Sequence, residues 1–328
     1  MEAVLNFRTK DAALHATSFT VDAAHARQRH ADLLAGQAEV QPHNITLRNG
    51  RLGHDYSEAE RTAVAELLGG GGRGFVLLKH ESAVTDWHDS KLVSTVYYKE
   101  IQELVERLLP GVKALPPSDH VIRTEEPPAD AGPASPHQGP AAVCHNDFAQ
   151  NHGTDLQSRA PEIFTAQVFE EHRVLQISTW RNIDTEPMQR LPLAICDRLS
   201  MRRDDLQAVP LVFGDIDDDA GQTGWADIYF CTHSQRQRWV YFPELAPDEV
   251  ILLVQYDSDP EVPHRELTAL EQAEGGHGFI PPAHSAVELP RSEDARPRIS
   301  LDFRMICLAP KPKQVSTGAC GQLQNAKL

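Results

Sequence analysis

His145-Asn146-Asp147 sets an imidazole and a carboxylate two residues apart, directly after residues 141–144, which read as a strand. In an extended segment residues i and i+2 share a face, so both side chains can reach one metal ion. A third ligand from elsewhere would complete a two-histidine, one-carboxylate triad. Such a triad leaves coordination positions open and suits non-haem Fe(II). Alone, a His-x-Asp pair is common, and a solvated turn is the plainer reading.

Residues 298–305 alternate strictly. Ile299, Leu301, Phe303 and Met305 share one face, and Arg298, Ser300, Asp302 and Arg304 share the other. Facing water, this is an ordinary half-buried strand. Facing the inside of a barrel, Arg298 and Ser300 can clamp a carboxylate, because the guanidinium is a planar fork matched to that anion and the hydroxyl adds a donor. His284 lies fourteen residues before Arg298, enough for a strand, a turn and a return on a neighbouring strand. That distance, and the small residues Ser285 and Ala286, favour His284 as the distal ligand. His264, after Pro263, competes with it, and His152 and His277 compete less strongly.

The elements that must position these groups are β-rich after about residue 172. Strands are predicted over 174–180, 209–213, 227–231, 238–242, 250–256 and 298–308, separated by Pro, Asp and Gly turns. Many short strands with such turns indicate a jelly-roll or barrel. A short helix beginning near Pro161 precedes them. Residues 89–109 give the clearest helix, with Val93, Tyr97, Ile101, Leu104, Val105 and Leu108 at three- and four-residue intervals, ended by Pro110-Gly111. Ser57 to Glu60 matches a capping box ahead of a helical run over 61–68. The glycine-rich 69–74 reads as a helix stop before a strand over 74–79, since no Lys-Ser/Thr follows it and it does not open a helix. Short strands are expected at 3–7 and 44–47.

One domain accounts for the chain: an N-terminal extension (1–56), a Pro/Ala/Gly-rich loop (124–142), a catalytic β-core (143–308) and a C-terminal tail (309–328). The loop and the stretch 258–283 are candidate lids. A formal net charge of −16 disfavours nucleic acid or an anionic membrane as partner. The N-terminus has no apolar core of signal-peptide length, and no run reaches the roughly 20 apolar residues that span a bilayer. Five widely spaced cysteines, without CxxC, read as reduced thiols. A cytoplasmic protein is expected.

The order of several landmarks resembles a family. They are Val96-Tyr97-Tyr98-x-Glu100, Asp119-His120-x-x-Arg123, His145-x-Asp147, Trp180-Arg181, Pro192-Leu193-Ala194-x-Cys196-Asp197 and Arg238-Trp239-x-Tyr241-Phe242-Pro243. Tyr256-Asp257-Ser258, His284-Ser285-Ala286 and Arg298-x-Ser300-x-x-x-Arg304 follow. Across most of its length the chain resembles the Fe(II)/2-oxoglutarate oxygenase-like family of fungal hydroxylase/desaturases, a gibberellin desaturase and a cephamycin methoxylation subunit.

The resemblance implies a mainly β fold with flanking helices around a double-stranded β-helix (jelly-roll, cupin-like) core. It implies Fe(II) on His145, Asp147 and His284, and 2-oxoglutarate on Arg298 and Ser300. It further implies O2-dependent hydroxylation, desaturation or oxidative ring closure of a small-molecule substrate of secondary metabolism. Arg181, Trp180, Trp239 and Tyr241 are expected to line the substrate pocket, with a buried ion pair to Asp197 as the structural alternative for Arg181. A homodimer is allowed for. Two other readings remain: a Zn(II)-dependent hydrolase on the same triad, and a non-catalytic barrel binding a small acid.

Overall fold

The computed structural model describes residues 1–9, 19–21, 40–125, 137–213, 224–259, 279–290 and 295–311. In chain order the first strands are β1 (Glu2–Arg8), β2 (Phe19–Val21), β3 (Val40–Asn49), β4 (Phe75–Lys79), β5 (Lys113–Ala114), β6 (Val121–Thr124), β7 (His137–Gln138) and β8 (His145–Asn146). Then come β9 (His172–Asn182), β10 (Leu193–Cys196), β11 (Leu206–Phe213), β12 (Gly224–Cys231), β13 (Trp239–Tyr241), β14 (Glu249–Asp257), β15 (His284–Ala286) and β16 (Ile299–Pro310). The helices are α1 (Tyr56–Leu68), a long α2 (residues 90–108), α3 (His152–Arg159) and α4 (Ala166–Glu171).

Two sheets face each other. One has the order β1-β3-β13-β10-β15-β8-β12-β11-β2, and the other β4-β14-β9-β16-β6-β7, with β5 beside β16. This is the double-stranded β-helix, or jelly-roll, expected from the sequence.

The period-2 alternation of each strand divides its side chains between layers. On β16, Leu301, Phe303, Met305 and Cys307 pack under α1 and α2 with Tyr97, Ile101, Leu104, Val105 and Leu108. Phe75, Leu77, Trp180, Ile251 and Leu253 of the second sheet meet Leu193, Ile195, Val240 and Phe242 of the first, forming the apolar part of the interior. Ala194, Cys196, Trp239 and Tyr241 point the opposite way, to a third core built with Leu5, Phe7 and Leu47. β1 is therefore an edge strand of the first sheet, and β3 lies between it and β13, with which it pairs in parallel.

Several expectations are corrected locally. α1 is capped by Asp55, whose side chain accepts from the Glu58 N–H at 2.8 Å, because Tyr56 already starts the helix. The helix expected near Pro161 begins at Ala166, where the Thr165 hydroxyl caps it. Residues 141–144 make only an isolated bridge, Val143 to Asn6. In α2, a π turn over Val93–Tyr97 shifts the helical phase, so that consecutive tyrosines, Tyr97 and Tyr98, both pack on Phe303 with centroids 5.5 and 5.0 Å away. Gly111 (φ +83) follows its end. In the glycine-rich stretch, the carbonyls of Gly69 and Gly72 accept from the Arg198 guanidinium.

Candidate metal centre

β8 and β15 are neighbours, and His284 stands directly opposite His145 in their antiparallel register. Opposed residues in such a pair have Cβ atoms about 4.5–5.5 Å apart, and here the rings lie 4.5 Å apart, tilted by 51°. The chain bends after Asn146 and brings Asp147 Oδ1 to 3.4 Å from His145 Nε2. Nitrogen and oxygen atoms of His145, Asp147 and His284 all lie within 4.8 Å of one another, the one such cluster among the described residues that could hold a metal ion.

The state of these groups suits a cation. His145 Nδ1–H donates to the Val143 carbonyl at 2.7 Å, which leaves Nε2 with its lone pair free. His284 Nδ1 is buried and has no hydrogen-bond partner. Burial, helped by the nearby His145, pushes the His284 imidazole down to about 3, so it stays neutral and able to ligate. Burial by itself would raise the Asp147 carboxyl, but the Arg304 guanidinium outweighs it and holds the acid well below its usual range. Two imidazoles and a carboxylate with converging donor atoms fit a divalent transition metal.

A cleft of about 440 Å³ opens at this cluster, between the sheets. Arg123, Trp180, Arg298, Asp302 and Arg304 line its far side, and Leu193, Leu253 and Ala286 form apolar wall. Arg298 is 3% exposed. It donates to Ser300 Oγ at 2.9 Å and to the Leu191 carbonyl at 3.0 Å, and its guanidinium carbon lies 4.8 Å from the centre of the Trp180 ring. Among the described residues no carboxylate pairs with this guanidinium, and burial, with the charge of Arg123, pushes it down to about 9. The other two arginines are committed: Arg123 to Asp302 at 2.9 Å, and Arg304 to Asp147 at 2.9 Å and Asp302 at 3.2 Å.

His284 and Arg298 do share the cleft, but not from neighbouring strands. β15 lies in the first sheet and β16 in the second. Of the four residues expected to line a substrate pocket, Trp180 lines this cleft. Arg181 follows Trp180 on β9 and points to the helical layer, where it donates to the His80 and Pro247 carbonyls and stacks on Trp87 and Tyr97. It makes no pair with Asp197, which holds Arg238. Trp239 and Tyr241 flank the inward Val240 and so face the third core with Phe7. His152 lies on α3, beside Gln176. His264 and His277, and most of both candidate lids, lie outside the described residues.

Sequence reasoning missed Gln255, whose amide nitrogen donates to Asp147 Oδ2 at 2.8 Å. The available signal was a lone polar residue ending the apolar run Ile251 to Val254, since a buried amide needs a partner. It also left Arg304 and Asp302 without roles, although their alternation with Leu301 and Phe303 put them on the cleft face.

A family model described as oxidoreductase/YMDC permease-like domain matches residues 67–308. The chain is 27% identical over 235 residues to the alpha-ketoglutarate-dependent dioxygenase phiK of Fungal sp. (strain ATCC 74256), spanning 71% of this chain and 76% of the relative. It is 27% identical over 241 residues to the alpha-ketoglutarate-dependent dioxygenase tstK of Talaromyces stipitatus, spanning 72% and 78%. Hydroxylase/desaturase efuI of Hormonema carpetanum is 28% identical over 199 residues, 57% of this chain and 65% of that protein. In fold, the chain superposes on an iron and alpha-ketoglutarate-dependent endoperoxidase, NvfI, with a TM-score of 0.66 and 19% identity, covering 95% of this chain and 98% of that one. Among the described residues no helix is long and apolar enough to cross a membrane.

Proposed function

The chain belongs to the family described as oxidoreductase/YMDC permease-like domain, and from that premise we propose that it is a non-haem Fe(II)/2-oxoglutarate-dependent dioxygenase acting on a small molecule of secondary metabolism. The observation that carries this reading is the sharing of one cleft by His145, Asp147 and His284 with Arg298, a buried cation lacking a carboxylate partner among the described residues. The printed names of the relatives support it. A hydrolase on the same triad would have no use for Arg298 and Ser300.

Bound iron with 2-oxoglutarate supplies oxidising power toward C–H bonds that no amino-acid side chain has. The chain's residues do the rest. His145, Asp147 and His284 would hold the metal. Arg298 binds the far carboxylate of 2-oxoglutarate, with Ser300 fixing the guanidinium through Nε and Trp180 covering its face. Leu193, Leu253 and Ala286 keep water from the reacting end and orient the substrate. Hydroxylation, desaturation and ring closure are the outcomes open to such a site.

The test is succinate formation from 2-oxoglutarate by anaerobically iron-loaded protein after O2 is admitted, with candidate acids screened for products that gain oxygen or lose a pair of hydrogens. Wild type should form succinate and Asp147→Ala should not. No succinate from the iron-loaded wild type, or turnover with zinc and without 2-oxoglutarate, would overturn the reading.

A further inference from the structure

β14 pairs with β9 through a register shift: Val254 faces Ile177 and Tyr256 faces Gln176, so Gln255 is an extra residue in a β-bulge. Bulges leave one residue outside the ladder and re-aim side chains beside functional sites. Both consequences are present. The Gln255 carbonyl accepts from Asn146 Nδ2 at 3.0 Å, and its side chain lines the cleft. There it grips Asp147 twice. The Asp147 backbone N–H donates to Gln255 Oε1 at 2.9 Å, and Gln255 Nε2 donates to Asp147 Oδ2 at 2.8 Å. The first bond fixes the orientation of the amide, since a backbone N–H can only donate. Gln255 Nε2 also meets Ser178 Oγ.

Oδ2 receives a second bond from Arg304 Nε at 2.9 Å. A carboxylate oxygen offers about two lone-pair sites, and on Oδ2 both are taken. Oδ1 faces His145 Nε2 at 3.4 Å. Resting on the proposed metal centre, we propose that Gln255 is a positioning residue which, with Arg304, occupies Asp147 Oδ2 and makes Asp147 a one-oxygen ligand through Oδ1. Were Oδ2 free to chelate, the carboxylate would take one of the positions that cosubstrate and O2 need. The second sheet would thus set the coordination mode of a ligand carried by the first.

Full-length protein with Mn(II) as the probe and no 2-oxoglutarate tests this without turnover. Affinity is measured by calorimetry. Metal-bound waters are counted from the broadening of the Mn(II) electron-spin resonance lines in oxygen-17 water. Gln255→Met keeps length and removes both bonds. It should weaken Mn(II) by ~10–100-fold, as outer partners of metal ligands typically do, and lower the water count by one as Oδ2 turns onto the metal. If that variant does not fold, Gln255→Glu keeps the acceptor for the Asp147 N–H but sets oxygen against Oδ2, and the same loss of affinity is expected. Wild-type affinity in the folded variant, or weaker binding with an unchanged water count, would overturn the positioning role. Asp147→Ala separates the two levels: if it binds Mn(II) like wild type, the metal centre itself is wrong and the clamp falls with it.

Discussion

His145 and His284 are a directly opposed cross-strand pair, held at 4.5 Å between ring centroids by the register of β8 and β15. Two hydrogen-bonded backbones, not loops, set their separation. His284→Ala should therefore abolish tight Fe(II) or Mn(II) binding, by more than the ~100-fold upper range of an outer-partner effect, while circular dichroism stays native. Calorimetry checks it, and near-wild-type affinity would exclude His284 as a ligand.

Arg298 carries its charge into the interior with no carboxylate partner among the described residues. A lone buried cation is costly, so the site pays in stability for the cosubstrate it is proposed to hold. Arg298→Met should weaken 2-oxoglutarate by ~10–100-fold, from the loss of charged hydrogen bonds, while the apo protein melts no lower than wild type. A large drop in melting temperature with unchanged cosubstrate affinity would make Arg298 structural.

Arg181 should behave in the opposite way. It is 1% exposed, bonded to two carbonyls and stacked between Trp87 and Tyr97. Arg181→Lys keeps the charge but loses the planar fork, and should destabilise the fold by about 2–4 kcal/mol with cosubstrate affinity unchanged. Denaturant titration and calorimetry on the same variant decide it.

His152 offers a pH test remote from the triad. Burial lowers its imidazole to about 4, partly offset by the hydrogen bond to Gln176. As pH falls from 6.5, the unfolded chain takes up the proton first, so this contribution to stability is intact above pH 6.5 and is lost progressively down to about pH 4. The shift corresponds to about 3 kcal/mol. His152→Gln should flatten the stability profile in that window relative to wild type. Parallel profiles would show that His152 titrates normally.

The long strands and α2 were legible in the sequence because their periodicity extends over many residues. β8, β10 and β15 were not, because strands of two to four residues carry almost no pattern. That His145, Asp147, His284 and Arg298 would meet was readable from residue types in order. Which way Arg181, Trp239 and Tyr241 point was not, because a single step along a strand reverses the face and nothing local fixes the phase of Trp239-Val240-Tyr241. The role of Gln255 depends on a bulge, which only the pairing with β9 reveals.

The candidate metal ligands belong to one sheet and Arg298 with Ser300 to the strand opposite, so the gap between the sheets works as a ruler. A keto diacid spanning it must match that gap in length: one methylene too short leaves the guanidinium unmet, and one too long must buckle. Discrimination among 2-oxo acids would then be an architectural dimension of the whole sandwich, tuned by mutations far from the iron that widen or narrow it.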